Sequence, residues 1–228
     1  MTDGKRTFDW VSRHDPRSRN FAIGDVHPAV ELQAKSWRTG PVLDQGEEGA
    51  CVGFGCALEA SSSPVRVRGV DDAWARGLYR EARGIDVVEH GVDWPEGASV
   101  LAGAKALRAR GLIEAFRWSF SVGELRTAII AEGPAILGVN WYESMYETDY
   151  AGLVRVEGDI VGGHCILCYG YNPRARVAGL SGEHEVFRWQ NSWGYSYGIN
   201  GRGIVLMTDM ERLLAENGEA CIPAGRSY

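Results

Sequence analysis

The strongest chemical signal in the sequence is a cysteine placed where a glycine-rich, acidic segment gives way to an apolar run. The segment is Gln45-Gly46-Glu47-Glu48-Gly49-Ala50-Cys51, and it predicts a loop leading into a buried helix that begins near Cys51. The unpaired N–H groups at a helix start favour a thiolate, which is the nucleophilic form of cysteine. Gln45 is an uncharged amide donor on the same loop, so it could join the N–H of Cys51 in an oxyanion hole. The glycines leave room there for the backbone of a bound chain.

A histidine and an asparagine further along the chain have the types needed to complete a nucleophilic site. His164 follows Gly162 and Gly163 at the start of an apolar run, a position that suits a general base opening on a cleft. Asn191 cannot act as a base, but its side-chain carbonyl can hold an imidazole in one tautomer. Trp193, in the same segment as the asparagine, could shield that hydrogen bond from water.

Helices in the first half of the chain and strands in the second must position these groups. Apolar spacing predicts helices over 72–83, 99–110, 122–132 and 210–217, besides the helix that begins at Cys51. Short β-rich runs predict strands over 135–141, 164–171, 185–191 and 203–207. Because most helices precede the strands, the predicted fold class is α+β. Gly53 and Gly55 each destabilise a helix by roughly 1 kcal/mol relative to alanine. Close packing of a neighbouring backbone against a buried helix can offset this loss.

The composition excludes several classes of protein. The chain has 228 residues, with 24 Lys and Arg against 30 Asp and Glu, for a net charge of −6. This acidic balance argues against a nucleic-acid partner, since binding there depends on neutralising phosphates. Charged residues make up 24%, close to the usual share, so the chain is expected to fold rather than stay disordered.

The cysteines are expected to be reduced thiols. There are five, an odd number, and the N-terminus lacks the apolar run of a secretory signal. No run of about 18 apolar residues predicts a membrane span, so we expect a cytoplasmic protein, or one delivered by a route that needs no signal. Cys165 and Cys168 have the spacing of a metal or redox pair, but on a strand they would face opposite sides. We therefore predict core packing for them and no metal.

Four motifs, in this order, resemble those of the papain family of cysteine peptidases. The segment from Asp44 to Cys51 matches the family pattern D-Q-G-x-x-G-x-C. Gly163-His164, followed by Gly170-Tyr171, matches G-H-x-x-x-x-x-G-Y. Asn191-Ser192-Trp193-Gly194 matches N-S-W-G, and residues 197–203 echo the glycine-rich tail that follows it. The resemblance extends from about residue 36 to residue 223.

The resemblance implies a two-lobed papain-like fold, with a helical lobe, a β-barrel lobe and the active-site cleft between them. It divides the chain into an N-terminal arm (1–35), a mainly helical lobe with the nucleophile (36–121) and a mainly β-barrel lobe with the histidine and asparagine (122–228). Together these would form one compact catalytic unit. The implied activity is a thiol-dependent peptidase that acts on peptide or protein substrates without a cofactor. Cys51 and His164 would form a thiolate–imidazolium pair, and Gln45 would stabilise the oxyanion on the way to a thioester.

The same resemblance implies a set of substrate-binding residues. Gly97 is expected to pair its main chain with an extended substrate. Ala98, Ala135 and Gly162 are expected to line an open, apolar pocket for the second residue before the scissile bond. The substrate-binding residues implied by the resemblance are Gly49, Ala50, Gly97, Ala98, Gly162, Gly163 and Trp193.

Two departures from the family pattern bear on structure and control. Glu48 stands where the family usually has a disulfide cysteine, as expected of a version of the fold built without that bond. The first 35 residues are too few for the family's long inhibitory propeptide. In this respect the chain resembles short, propeptide-less members of the family found in bacteria and phages. Either activity is controlled in another way, or the arm covers part of the cleft.

Two other functions remain open at this stage. The same triad could serve a deamidase or a transglutaminase-like enzyme, because the chemistry up to the thioester is shared. An unblocked cleft and the backbone of Gly97 would favour a peptide substrate. A non-catalytic binding module on the same fold is disfavoured, since Gln45, Cys51, His164 and Asn191 are all intact.

Overall fold

The computed structural model describes residues 10–12, 30–91 and 96–226. Within them the helices and strands are, in chain order, β1 (Lys35–Ser36), α1 (Cys51–Ala60), α2 (Asp72–His90), α3 (Val100–Ala109), β2 (Ala115–Ser119), α4 (Val122–Ala131), β3 (Ala135–Tyr142), β4 (Ile160–Ala175), β5 (His184–Gln190), β6 (Arg202–Leu206), α5 (Met207–Ala215) and β7 (Glu219–Ala224). A 3-10 turn, Glu143–Tyr146, follows β3. The predicted α+β order is confirmed. In the described part of the chain, no helix has the length and apolar character needed to span a membrane.

Helix α1 is buried along its whole length, and its two glycines allow other elements to approach it. A Cβ atom on Gly53 would lie 2.6 Å from the carbonyl oxygen of Ala75 in α2. A Cβ atom on Gly55 would lie 2.7 Å from Sγ of Cys165 in β4. Larger side chains at either position would push α1 away from α2 or from the sheet, which explains why a buried helix keeps two residues of low propensity.

Helix α2 continues seven residues past its predicted end at Arg83. Its inward face carries Leu78, Ala82 and Asp86, spaced four residues apart and all buried. The Asp86 carboxylate accepts hydrogen bonds from the N–H (2.7 Å) and the hydroxyl (2.8 Å) of Ser99, the residue that caps α3. The extension therefore depends on a contact with a distant residue, which local periodicity does not reveal.

The seven strands form one antiparallel sheet in the order β2-β7-β3-β4-β5-β6, with β1 paired to β4. Strands β2 and β6 end the order and do not pair with each other in the described residues, so the expectation of a β-barrel is wrong. The chain leaves β6 directly into α5 and returns as β7 between β2 and β3. That route adds an inner strand and leaves β6 at the end of the order, where Ile204 pairs with residues 152–154. Strand β2 was also not among the strands predicted from the sequence.

Two large hydrophobic clusters occupy opposite faces of the sheet. Helices α1, α2 and α3 cover the face that carries Ile136 and Cys165. Helices α4 and α5 cover the face that carries Leu137 and Cys168. The two cysteines thus point to opposite sides, as predicted. Of the remaining histidines, His14 and His27, with the side chain of His90, lie outside the described residues, and His184 is half-buried.

Candidate active site

Cys51 is the first residue of α1, as the sequence predicts. The residue before it, Ala50, offers no side-chain cap, and no acidic side chain lies in the first turn of this helix as described. The N–H groups of that turn, which have no carbonyl partner within the helix, therefore act on the thiol without a competing carboxylate from the helix itself. Cys51 is fully buried, and α1 packs against β4, the strand that carries His164.

His164 and Asn191 lie together and are joined by a hydrogen bond. The Nε2 atom of His164 is 2.8 Å from Oδ1 of Asn191. The same Oδ1 atom accepts the backbone N–H of Ser192 at 2.7 Å, which identifies it as the acceptor. Nε2 must then carry the proton and donate it, so Nδ1 is left as the basic nitrogen of the neutral ring. Both side chains are fully buried.

Two tryptophans enclose the imidazole of His164. The Trp193 ring lies 4.8 Å from it, tilted by 35°, and the Trp141 ring lies 4.7 Å away, edge to face at 77°. Both rings are at most 3% exposed, and shielding of the His164–Asn191 hydrogen bond from water by Trp193 stays a prediction. Trp141 was not predicted. The strand register explains why Trp141 lies beside His164. Val139 pairs with His164 across β3 and β4, and Trp141 lies two residues further along the same face of β3.

Gln45 is tied to the segment that follows Asn191. Its backbone N–H donates to the carbonyl of Ser192 at 2.9 Å, and its Oε1 accepts the Ser192 hydroxyl at 2.6 Å. Its Nε2 donates one hydrogen to the carbonyl of Glu48 at 2.9 Å. With the amide oxygen fixed toward Ser192, the amino group is held on the side of the loop that leads to Cys51, and one N–H remains available as a donor.

An ion pair lies where the family usually has its disulfide. The Glu48 carboxylate is 2.8 Å from Nε of Arg76 in α2, and both side chains are about one-third exposed, at 38% and 33%. Nη2 of Arg76 also lies 3.5 Å from the carbonyl of Gln45. The loop before Cys51 is thus anchored to α2 by a charged pair rather than a covalent bond.

The other four cysteines are free, buried thiols. Burial raises the pKa of Cys56, Cys165 and Cys221 far above the usual value, and that of Cys168 to about 12. These thiols therefore stay protonated near neutral pH and are poor nucleophiles. No group of metal-binding side chains occurs among the residues that the structure describes.

The residues expected to bind substrate lie around the same centre, but the pocket is not open. Gly49 and Ala50 are buried beside Cys51, and Gly162 and Gly163 are half-buried before His164. The N–H of Gly97 is already used by the Tyr79 hydroxyl, at 3.0 Å. The main-chain pairing expected of Gly97 occurs one residue later instead, at Ala98, and the strand paired there is the protein's own residues Trp10 and Val11.

Ala135, which was expected to line the pocket, lies elsewhere. It belongs to the hydrophobic cluster on the sheet face covered by α4 and α5, and it pairs with Cys168. Gly138 lies three residues further along β3, and the Trp10 ring packs over it. Three residues along a strand change the face, so Ala135 and Gly138 lie on opposite faces of β3.

The comparisons with known proteins identify the fold. No family model and no curated protein matches the chain. Among solved structures it is similar to xylellain, a cysteine protease from Xylella fastidiosa, at 15% identity with a TM-score of 0.60, over 96% of this chain and 92% of that one. It is also similar to the proform of the ragweed pollen protease Amb a 11, at 14% identity and a TM-score of 0.63, over 92% and 70% of the two chains. A third similar structure is procathepsin L 3 of the Tenebrio molitor larval midgut, at 14% identity and a TM-score of 0.55, over 97% of this chain and 74% of that one. The protein therefore has the papain-like cysteine protease fold.

Proposed function

We propose that the protein is a papain-like cysteine peptidase that hydrolyses peptide bonds through a thioester on Cys51. The observation that carries this proposal is the buried hydrogen bond from His164 Nε2 to Asn191 Oδ1, on a fold shared with cysteine proteases. It orients an imidazole whose other nitrogen can exchange a proton with a thiol. Such an arrangement of base and orienting group is what nucleophilic catalysis by a thiol requires.

The acylation step uses the two reactive groups as an ion pair. The Cys51 thiol gives its proton to Nδ1 of His164, and the resulting thiolate attacks the carbonyl carbon of the scissile bond. The imidazolium then protonates the leaving amine as the carbon–nitrogen bond breaks. The fixed Nε2–H bond to Asn191 keeps the ring in the tautomer that can accept and return this proton.

In this proposal the tetrahedral intermediate is stabilised by two hydrogen-bond donors of the loop and helix at Cys51. The backbone N–H of Cys51 and the remaining side-chain N–H of Gln45 are assigned to the oxyanion. Gln45 does not have to reorganise, since its oxygen is held by Ser192 and its amino group by Glu48. Donors fixed before the reaction are the ones that contribute most to the rate.

Deacylation repeats the steps with water as the acceptor. His164 takes a proton from water, the hydroxide attacks the thioester, and Cys51 leaves as a thiolate. In this proposal the part of the chain with α1 to α3 (within 36–121) supplies the nucleophile and the part with the sheet (within 122–228) supplies the base. The substrate is a peptide or protein chain held between them, and no cofactor takes part.

A cleavage assay on matched variants tests the proposal. An unfolded protein and a peptide library are incubated with the wild type, with Cys51→Ala and with Cys56→Ala, and the products are read by mass spectrometry. Cys56 is a second buried thiol of the same helix, so it controls for the loss of a cysteine in α1. We expect cleavage by the wild type and by Cys56→Ala, and none by Cys51→Ala.

The same assay separates the alternatives. Modification of Cys51 by an epoxysuccinyl probe without any cleaved peptide, but with ammonia released from glutamine side chains, would assign the deamidase-type chemistry instead. Absence of both cleavage and Cys51 modification would contradict enzyme function altogether.

A further inference from the structure

A cavity of about 680 Å³ lies beside the end of α1 that is opposite to Cys51. One wall is formed by residues 38–41, and the other by Ser61 with residues 66–70. The walls meet where Gly40 packs on Ser61, since a Cβ atom on Gly40 would lie 2.0 Å from the Ser61 hydroxyl oxygen. The ten residues of α1 separate the cavity from Cys51 by about 15 Å along the helix axis. The cavity is therefore distinct from the proposed peptidase site, and its volume is in the range of small-molecule pockets.

The charged side chains that line this cavity are all arginines, namely Arg38, Arg66 and Arg68. None of the three makes an ion pair within the part of the chain that the structure describes. The chain as a whole carries a net charge of −6, so a cavity with three cations and no acidic lining residue contrasts with the rest of the molecule. Like charges repel at short range, and an anion bound among the three guanidinium groups would remove that repulsion.

The wall that carries two of the arginines is held in shape by its own hydrogen bonds. The N–H of Val67 donates to the carbonyl of Ala60 at 2.8 Å, and Nε of Arg66 donates to the carbonyl of Ser61 at 2.9 Å. Gly69 then turns the chain with a φ of +72°, a conformation that favours glycine. Because this wall is ordered without a ligand, little conformational entropy is lost when one binds.

The negative end of α1 does not oppose an anion in this cavity, because the carbonyls there already have donors. The Ala57 carbonyl accepts the N–H of Ser61 at 3.0 Å and its hydroxyl at 2.9 Å. The Leu58 carbonyl accepts the Ser62 hydroxyl at 2.6 Å. Carbonyls that are paired in this way contribute little of the negative potential that is usual at the end of a helix.

The opposite wall is fastened to the sheet. Oγ1 of Thr39 accepts a hydrogen bond from Nη2 of Arg202 in β6 at 2.9 Å. The carbonyl of Pro41 accepts one from Nε2 of Gln190 in β5 at 2.8 Å. A ligand that contacts both walls would therefore join the segment after α1 to the segment that is fixed to β5 and β6.

We propose that this cavity is a binding site for a small soluble compound with two or more phosphate groups. Arg38 would hold the compound from one wall, and Arg66 and Arg68 from the other. A phosphate group has three acceptor oxygens and a charge of about −1.5 to −2, so two such groups can pair with three arginines. A single carboxylate accepts one arginine in the bidentate geometry, which fits this set of side chains less well. The inference is independent of the proposed peptidase function.

Calorimetry on the full chain tests the site with three probes: inorganic pyrophosphate, citrate as a carboxylate anion of comparable charge, and an acetylated tripeptide with one phosphoserine. The variants are Arg38→Gln, Arg68→Gln, the double variant and Arg68→Lys. Arg38 and Arg68 are exposed, so the fold should tolerate these changes. Arg176→Gln is the matched control, because Arg176 is an exposed arginine that does not line the cavity.

We expect pyrophosphate to bind the wild type at least about tenfold more tightly than citrate or the phosphoserine peptide. Arg38→Gln and Arg68→Gln should each weaken pyrophosphate binding by about tenfold, and the double variant should bind none that is measurable. Arg68→Lys keeps the charge but loses the planar pair of donors, so its affinity should lie between those of the wild type and Arg68→Gln. Arg176→Gln should stay within about twofold of the wild type. Pyrophosphate should also raise the urea midpoint of unfolding of the wild type but not that of the double variant.

Equal binding of pyrophosphate by the wild type and the double variant would overturn the site. A loss in Arg68→Gln with none in Arg38→Gln would overturn the contact with both walls. Citrate that binds as tightly as pyrophosphate would overturn the assignment to phosphate, and tighter binding of the phosphoserine peptide would overturn the assignment to a small compound. None of these outcomes bears on Cys51-dependent cleavage, by which the proposed peptidase function is judged.

Discussion

Gln45 and Ser192 are joined by two hydrogen bonds, one from the Gln45 backbone N–H to the Ser192 carbonyl and one from the Ser192 hydroxyl to Gln45 Oε1. The two residues are 147 positions apart in the chain. Gln45 lies on the loop before Cys51, and Ser192 directly follows Asn191. This pair, together with the bridge between Asp44 and Trp193 and the hydrogen bond from Gly194 N–H to the Leu43 carbonyl, joins the loop before Cys51 to the segment that follows Asn191.

Replacement of Gln45 should separate turnover from thiol reactivity. For Gln45→Ala we expect kcat for peptide cleavage to fall by about 10²–10³, the usual cost of one oxyanion donor. The rate of Cys51 alkylation by iodoacetamide should stay within about threefold of the wild type, since that reaction forms no oxyanion. Both rates are measured on the same preparation.

Ser192→Ala is the matched control for Gln45→Ala. It removes the hydroxyl that holds Oε1 but leaves the amide donor in place, so kcat should fall less than in Gln45→Ala. A parallel loss of alkylation and turnover in Gln45→Ala would mean that the residue supports the fold of the loop rather than the oxyanion.

The hydrogen bond between His164 and Asn191 should matter for rate more than for stability. Asn191→Ala removes the acceptor for Nε2–H and leaves the ring free to adopt the other tautomer. A hydrogen bond to a group that becomes charged contributes about 1.5–3 kcal/mol, so kcat/KM should fall by about 10- to 150-fold. Asn140→Ala is the control, because Asn140 is a half-buried amide of β3 whose side chain donates to the carbonyl of Glu216 and makes no hydrogen bond to His164 among the described residues. Equal losses in the two variants would contradict an orienting role for Asn191.

The sequence was most informative where function depends on local chemistry. Cys51 at the start of α1 and the short spacing from Gln45 to Cys51 are set by neighbouring residues, and the α+β order follows from periodicity. Asn191 and His164 are 27 residues apart, yet their motifs were recognisable because each has glycine or aromatic neighbours of a defined kind.

Features that depend on distant contacts were missed. The position of Trp141 beside His164 follows from the register of β3 on β4, and a shift of one residue would turn it to the other face. In the described residues β7 enters between β2 and β3, and β2 and β6 do not pair to close the sheet. No local pattern encodes these choices of strand partner. The packing of Trp10 over Gly138 could not be predicted from the sequence, because the two residues belong to distant segments that share no motif.

Only one of the five cysteines should react quickly in the folded protein. Burial raises the pKa of Cys56, Cys165, Cys168 and Cys221, so these remain thiols at pH 7 and react slowly. Cys51 is buried as well, but it begins α1, where the helix N-terminus favours the reactive thiolate. Intact-mass spectrometry after a short exposure to iodoacetamide should show one added group per native chain and five after unfolding in urea. The modified residue should be Cys51, and Cys51→Ala should add none under native conditions. Modification of Cys168 in the native protein would contradict this assignment.

The buried pair of Glu59 and Arg226 should give the folded protein a pH dependence of defined sign. Nε of Arg226 lies 2.7 Å from Oε1 of Glu59, and the two side chains are 5% and 2% exposed. Burial raises the pKa of Glu59 above its usual value, an effect that exceeds the opposing influence of Arg226. The folded state therefore binds the proton more tightly than the unfolded state. The contribution of Glu59 to stability is fully present below the pKa of its carboxyl in the unfolded state. This contribution is lost as the pH rises through the pKa of the carboxyl in the folded state.

Urea unfolding of the wild type and Glu59→Gln between pH 4.5 and 7.5 tests this sign. The free energy of unfolding of the wild type, relative to the variant, should decrease as the pH rises. Arg226→Ala leaves the carboxylate buried without its cation and should cost about 3–5 kcal/mol at pH 7, with a smaller loss at pH 4.5 where Glu59 is more protonated. Glu81→Gln, which breaks the more exposed pair with Arg110, should change stability by less than about 1 kcal/mol. A relative stability of the wild type that increases with pH would show that the ion pair outweighs burial, contrary to this prediction.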